Sequence, residues 1–391
     1  MANLTRICGM GDSRGNREGP DARTRIAFIL WTLGGMGGSE KVVYDLSRKL
    51  DPAAYNVVII GFSDGPARNL YEEFGATVYA LTKGAGFDLS LVGALRRVLL
   101  KEKIDVVSAH HFGPLLYTFL ATIGLKAKVV YTEHSKWQLE QLSLSMKLLN
   151  RLMLSRTDAI VAISKQIEEY YLRRLLVKKR RLHFITNGID LPFFRSGNGP
   201  SLRQRLGIGE REKVIGIIAN LRPEKNHKLL ISAFDTVAKS MGETKLVLVG
   251  FDCMDGELQK FAAKSRASDK ILFLGSRHDV PDLLSAFDIF CLPSIHEGLP
   301  LTVLEAMAAG VPVVGADVMG INEVVAHDVN GLLFPSNDEG GLADALLRLL
   351  RDEDLRSRLA RTGESYVAEH FSLDDEVNSY DRLFGLVHHS H

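Results

Sequence analysis

The chain has 391 residues, 46% of them hydrophobic and 24% charged, with a formal net charge of +1. These are the proportions of a soluble globular protein long enough for two domains, and they exclude a disordered or collagen-like chain. Three scattered cysteines, Cys8, Cys253 and Cys291, form no C-x-x-C, so neither a disulfide framework nor a cysteine zinc site is indicated; a reducing, cytoplasmic setting is the simplest reading. No apolar run approaches the roughly 18 residues that span a bilayer, and the first two dozen residues lack a signal-peptide core.

Residues 1–23 are rich in Gly, Asp, Arg and Asn and read as a disordered extension. RIAFILW at 25–31 is a continuous apolar run, the pattern of a buried strand. A glycine-rich turn follows, then a helix from about Ser39 to Leu50. Further short apolar runs stand at 56–62, 77–81, 104–110, 128–134 and 158–164, separated by helical stretches, and 181–189 closes this half. Strands alternating with helices predict a parallel sheet covered on both faces. Residues 191–207 have the turn chemistry of a linker followed by a new helix. The pattern then restarts with KVIGIIAN at 213–220, a helix from about His227, and apolar runs at 245–250, 270–275, 288–293, 311–315 and 331–334. An amphipathic helix at 371–387 ends the chain. The expected division is an N-terminal domain at 24–191, a C-terminal domain at 192–372 and a terminal helix at 373–391.

The near-neutral total hides an asymmetry. Residues 1–200 hold 28 Lys and Arg against 18 Asp and Glu, and the rest holds 20 against 29. The split predicts that the first half meets something anionic, a membrane surface or a phosphorylated acceptor, with a merely solvated surface as the alternative. Arg173, Arg174 and the run 178–181 are its densest part. Residues 142–156, LSLSMKLLNRLMLSR, read as an ordinary scaffold helix, or as one lying on a bilayer.

The most informative stretch is HEGLPLTVLEAMAAGVPVV at 296–314. Pro300 suits the first turn of a helix, Gly310 caps its other end, and Pro312 prevents resumption. Glu297 therefore lies in the loop before a helix, and Glu305 lies one to two turns down it, roughly 7 Å along the axis at ~1.5 Å per residue. A helix N-terminus, here Gly298, Leu299, Pro300 and Leu301, attracts anions. Two carboxylates flanking it can hold hydroxyls on either side of a phosphate pair, which is the shape of a nucleotide sugar. The plain alternative is a loop–helix–strand with two solvated glutamates.

Other candidates gather at predicted strand ends, which line the ligand crevice of open α/β sheets. GGMGGSE at 34–40 follows the first strand, and its glycines suit either a tight turn or a backbone that a ligand can approach. It is not a dinucleotide fingerprint, because Glu40 stands where the third glycine belongs. His134 ends one strand, and His110 and His111 end the one before it. Alternation turns Glu133 away from the side that His134 faces. NLRPEKNH at 220–227 offers Lys225 and Arg222 to a diphosphate, and Asn220 as an uncharged donor.

The E-x7-E of Glu297 and Glu305, with DIFCLPSIHEGLP before it and GINEVVAHDVNGLLF after it, resembles the signature of family 4 retaining glycosyltransferases. The resemblance runs from about Arg25 to the C-terminus. It implies the GT-B fold: two Rossmann-like α/β domains facing across a cleft, with the terminal helix crossing back to the first. It further implies sugar transfer from a nucleotide-diphosphate sugar to a hydroxyl, with retention, no bound metal and no cofactor beyond the donor. Family frequency favours a uridine donor and polysaccharide or lipid-linked envelope acceptors, with no nucleic-acid partner. By the same resemblance His134 lines the donor sugar, Glu297 holds one of its hydroxyls and Glu305 holds the ribose. Lys225 faces the diphosphate, and His278 and Val280 flank the base in GSRHDVPDLLSAFDIF, 275–290. The resemblance also makes Gly37 and Gly38 the close-approach residues of the glycine-rich loop. At the end of their strand His110 and His111 have two readings, contact with the acceptor or a role in the turn. One departure stands out: the family's G-R-L-x-x-x-K reads A-N-L-R-P-E-K here, with Asn220 at the arginine position. Two rival readings share the fold, a nucleotide-sugar 2-epimerase and a non-catalytic nucleotide-sugar-binding protein. The expected location is cytoplasmic, with peripheral contact at the inner membrane face.

Overall fold

The structure is a computed structural model that describes residues 23–35 and 37–389; the extension expected at 1–23 falls almost wholly outside them. Two parallel sheets organise the described chain. The first contains β1 (Thr24–Leu30), β2 (Tyr55–Gly61), β3 (Thr77–Ala80), β4 (Val106–His110), β5 (Lys128–Glu133), β6 (Ala159–Ala162) and β7 (Leu182–Phe184), in the order β3-β2-β1-β4-β5-β6-β7. The second contains β8 (Lys213–Ile218), β9 (Thr244–Val249), β10 (Ile271–Phe273), β11 (Ile289–Leu292), β12 (Val313–Ala316) and β13 (Leu332–Phe334), in the order β10-β9-β8-β11-β12-β13. Every ladder is parallel. Parallel neighbours need crossover helices, and helices on both faces explain why the middles of these strands are mostly apolar rather than alternating. β1, for example, is buried from Ile26 to Leu30.

In each sheet the order reverses once, between β1 and β4 and between β8 and β11. Loops leaving those strand ends diverge and open a crevice, the usual ligand position in a doubly wound sheet. The chain therefore has two crevices, and the tertiary fold turns them toward each other.

The halves are joined twice. Ile189 N–H donates to the Phe371 carbonyl at 2.8 Å, and Leu373 N–H returns to the Ile189 carbonyl at 3.2 Å. Gly188 N–H donates to Glu376 Oε2 at 2.6 Å. A methyl at Gly188 would stand 2.4 Å from Leu373 Cα, so only glycine permits this crossing. Glu376 is fully enclosed, and burial pushes its carboxyl up to about 8. Beyond the crossing, the Leu373–His389 helix returns to the first sheet, where Tyr380, Leu383, Phe384 and Val387 join the core that holds Phe28 and Tyr131.

Candidate functional site

Gly34, Gly35, Gly37 and Gly38 leave β1, and the Gly38–Lys49 helix starts at the last of them. A methyl at Gly38 would be 4.0 Å from Leu301 Cδ1, so this loop abuts the amino end of the Leu301–Ala308 helix from the other half. That helix begins after Pro300, as the 296–314 stretch predicts, and Gly310 adopts φ +70° beyond its end. The first amides of such a helix have no acceptor within it.

Glu297 is held before that helix. Its Oε1 accepts from Lys225 Nζ at 2.6 Å and from Ser294 Oγ at 2.6 Å. Lys225 comes from the loop after β8 and Glu297 from the loop after β11. The two loops are tied by Ile295 N–H donating to the Glu224 carbonyl at 2.8 Å. Neither side chain is a solvated surface group: Lys225 is 24% and Glu297 11% exposed. Arg222, by contrast, is exposed and stands 3.9 Å from Glu224. Asn220 Oδ1 accepts from Phe251 N–H at 3.2 Å, so its amide oxygen braces the loop after β9.

The seam between halves is tight at Gly298. A methyl there would lie 2.2 Å from the His134 carbonyl oxygen. Gly320, at φ +85°, packs equally close behind, where a methyl would meet the Gly298 carbonyl oxygen at 2.6 Å. Leu299 packs against the cores of both halves. The loop carrying Glu297 and Gly298 thus touches the backbone of His134 directly.

Three histidines meet at the ends of β4 and β5. His110 Nδ1 lies 2.9 Å from His134 Nε2, and His110 Nε2 lies 3.1 Å from Ser108 Oγ. His110 is 0% exposed and both ring nitrogens are engaged. This corrects the expectation that it faces the acceptor: it is a buried support that fixes the His134 ring. Burial and the neighbouring His111 push it down to about 3, and burial with His111 and His110 pushes His134 well below its ordinary value, so both rings are neutral. His111 behaves oppositely. Burial works against its charge, but the Glu133 carboxylate, 3.0 Å from its Nδ1, outweighs this and raises it. Glu133 is fully buried, accepts also from Tyr131 OH at 2.7 Å and from the backbone of His134 and Ser135, and is held below the carboxylate range by His111 despite burial. Glu133 holds His111, whose φ of +73° is unusual for a side-chain-bearing residue and whose ring lies 5.0 Å from that of His134.

Glu305 is 3% exposed, and the Nζ of Lys41 stands 3.5 Å from its Oε1. Sequence reasoning missed Lys41, because a lysine on an amphipathic helix is ordinarily a surface group. His278 is exposed, while Val280 opens the Val280–Ala286 helix and packs on the core. A cavity of about 250 Å³ lies instead between Leu221, Gly250, Phe251, Phe273, Gly275 and Ser276, at the carboxyl ends of β8, β9 and β10, and neither His278 nor Val280 lines it.

Comparison with known proteins agrees with this geometry. The sequence profile described as "Glycosyl transferases group 1" matches residues 199–366, and that described as "Glycosyltransferase Family 4" matches 36–193. Between them they run over most of the chain, which belongs to the group 1, family 4 glycosyltransferases and has the GT-B fold. It is 29% identical to the N-acetyl-alpha-D-glucosaminyl L-malate synthase of Bacillus anthracis, over 89% of this chain and 94% of that one. It is 27% identical to an Escherichia coli enzyme named UDP-Gal:alpha-D-GlcNAc-diphosphoundecaprenol alpha-1,3-galactosyltransferase, over 76% and 79% respectively. Among solved structures, Anabaena HepE, crystallised with UDP and glucose, superposes with a TM-score of 0.81 at 23% identity, covering 93% of this chain and all of that one.

Proposed function

We propose that this glycosyltransferase moves a sugar, with retention and without a metal ion, from a nucleoside-diphosphate sugar to a hydroxyl of a glycan or lipid-linked acceptor in envelope or polysaccharide synthesis. Uridine is the preferred base, and the UDP of the HepE complexes and the UDP-Gal of the named E. coli reaction support that preference. The observation that carries the reading is the Lys225–Glu297 pair, 2.6 Å apart, beside the amino end of the Leu301–Ala308 helix and one residue from the contact with His134. In this reading the C1–phosphate bond breaks as the acceptor oxygen bonds C1 on the same face. The acceptor proton passes to the departing diphosphate. Lys225 and the helix amides stabilise the charge that builds there, Glu297 and His134 hold the donor sugar, and the cavity beside Phe251 takes the base.

Binding of uridine, guanosine and adenosine diphosphate sugars, followed by incubation with and without glycan acceptors, tests this. The expected result is one preferred nucleotide and donor consumption that depends on acceptor. A 2-epimer formed from donor alone would make the chain an epimerase. A donor bound but never consumed would make it a binding protein.

The reading includes contact with an anionic membrane. Leu144, Leu148 and Leu152, 76%, 62% and 49% exposed, recur every fourth residue along the Leu144–Arg156 helix, which buries Asn150, Met153 and Leu154 instead. Arg181 donates to the carbonyls of Leu154 and Ser155, so the basic run adjoins this apolar stripe. Leucines beside cations suit the interface of an acidic bilayer. Among the described residues no helix is long and apolar enough to cross one. Sedimentation with phosphatidylglycerol vesicles is expected to retain the protein at low salt. Replacing the three leucines by serine, or Arg173, Arg174, Lys178, Lys179 and Arg180 by glutamine, should release it. A wild type indifferent to both anionic lipid and salt would reduce the patch to a solvated face.

A further inference from the structure

Lys41 is the residue of the cleft that no motif accounts for. It sits in the first turn of the Gly38–Lys49 helix, and its ammonium reaches three structural units at once. It bonds Asp45 Oδ2 of its own helix at 2.5 Å, stands 3.5 Å from Glu305 Oε1 across the cleft, and lies 5.3 Å from the centre of the Phe194 ring in the segment that links the halves.

The two carboxylate distances differ in meaning. The contact with Asp45 is a short charge-assisted hydrogen bond; 3.5 Å to Glu305 exceeds the roughly 2.7–2.9 Å of such bonds. Lys41 thus offers Glu305 a counter-charge through a long contact that leaves most of its acceptor positions open. An ionised carboxylate has about four acceptor positions, and a vicinal diol needs two of them. A buried carboxylate without a counter-charge tends to protonate, and then it accepts less well.

The surrounding charges are few. Lys41, Asp45 and Arg48 belong to the Gly38–Lys49 helix, Arg48 bridging to Asp190 at 2.8 Å. Glu376 faces Lys41 and Asp45 from the terminal helix. The Arg195–Glu364 pair, 2.8 Å apart, lies toward the far end of the Glu305 helix near Gly310. Burial drives the Glu305 carboxyl upward, Asp45 adds to this, and Lys41 is the cation that opposes them. Lys41 in turn is held above its ordinary value, its burial outweighed by Glu305 and Asp45.

We propose that Lys41 is a positioning residue for the donor ribose: it stands beside Glu305 as its counter-charge and holds the carboxylate's remaining acceptor positions toward the ribose diol. This rests on the reading of Glu305 as the ribose ligand. Lys41 itself touches no donor atom. It makes the first half of the chain contribute to nucleotide selection, which the motifs assign to the second half alone.

The test is calorimetric titration with uridine, guanosine and adenosine diphosphates and their 2′-deoxy counterparts, against wild type, Lys41→Met, Lys41→Arg and Glu305→Gln. Wild type is expected to favour the ribonucleotide over its deoxy form by about tenfold or more, the scale of one charge-assisted hydrogen bond. Lys41→Met should lose most of that preference near neutral pH and bind the deoxy form almost as wild type does. Its ribonucleotide affinity should recover as pH rises, because the carboxyl now ionises only at higher pH. Lys41→Arg should restore much of the preference. Circular dichroism melting identifies any variant that fails to fold, and Lys41→Arg then carries the comparison through its pH profile, which is expected to follow that of wild type. If Glu305→Gln keeps the ribose preference, Glu305 is not the ribose ligand and the underlying reading fails. If Glu305→Gln loses it while folded Lys41→Met keeps it at every pH, that reading stands and Lys41 has no positioning role.

Discussion

Alanine at Lys225 is expected to lower kcat by about 10²-fold or more, with donor binding much less affected. The reason lies in how the lysine is held. Its ammonium is fixed 2.6 Å from Glu297 Oε1, and Glu297 is itself fixed by Ser294, so the charge is aimed before the donor arrives. A preorganised charge interacts more strongly with the diphosphate as the sugar departs than with the ground state. Losing it therefore falls on kcat. The variant also leaves Glu297 without its counter-ion, which on the proposed reading loosens the hold on the donor sugar and adds to the loss. Steady-state kinetics with a soluble acceptor decide the matter. A raised KM with near-normal kcat would mean that Lys225 binds both states alike. Arg222, which is exposed and 3.9 Å from Glu224, would then be the cation to examine.

Gly298→Ala is the second large effect, and it comes from space rather than charge. The added methyl would stand 2.2 Å from the His134 carbonyl oxygen, and both partners are backbone, so no side chain can swing aside. The two halves must separate locally, or the loop carrying Glu297 must withdraw. Either moves Glu297 and Lys225 away from His134 by the order of 1 Å, a displacement that can cost about 10²-fold in rate. Overpacking of this kind also destabilises by ~1–3 kcal/mol. The expected result is a folded enzyme with a lowered melting temperature and kcat/KM reduced by about 10²-fold. An alanine variant with unchanged kcat/KM would show that turnover does not pass through this closed seam.

Much of this protein is legible in one dimension. The apolar runs at 25–31, 104–110, 213–220 and 288–293 correspond to β1, β4, β8 and β11, because a parallel strand covered on both faces is mostly apolar along its length. Pro300 and Gly310 bracket the Leu301–Ala308 helix through backbone preferences that act locally. The spacing of Glu297 and Glu305, and the placing of Lys225 after a strand, are likewise local facts. The exposure and partners of these residues are not local. His110 and His111 are adjacent in sequence and both rings lie against His134, yet one is enclosed between Ser108 and His134 and the other is paired with Glu133. The leucines at 144, 148 and 152 have the spacing of a core stripe, but Met153 and Leu154 take the buried side, a choice set by which face meets the neighbouring helices. Lys41 has every local mark of a solvated lysine, and only the turning of one crevice toward the other places it against Glu305. Periodicity and turn chemistry are properties of a few consecutive residues, so the sequence carried the strands and helices of the two halves, while the strand order that sets the switch points came with the fold. Which charges are desolvated, and against whom, depends on surfaces brought together across the cleft, and only the tertiary structure decides that.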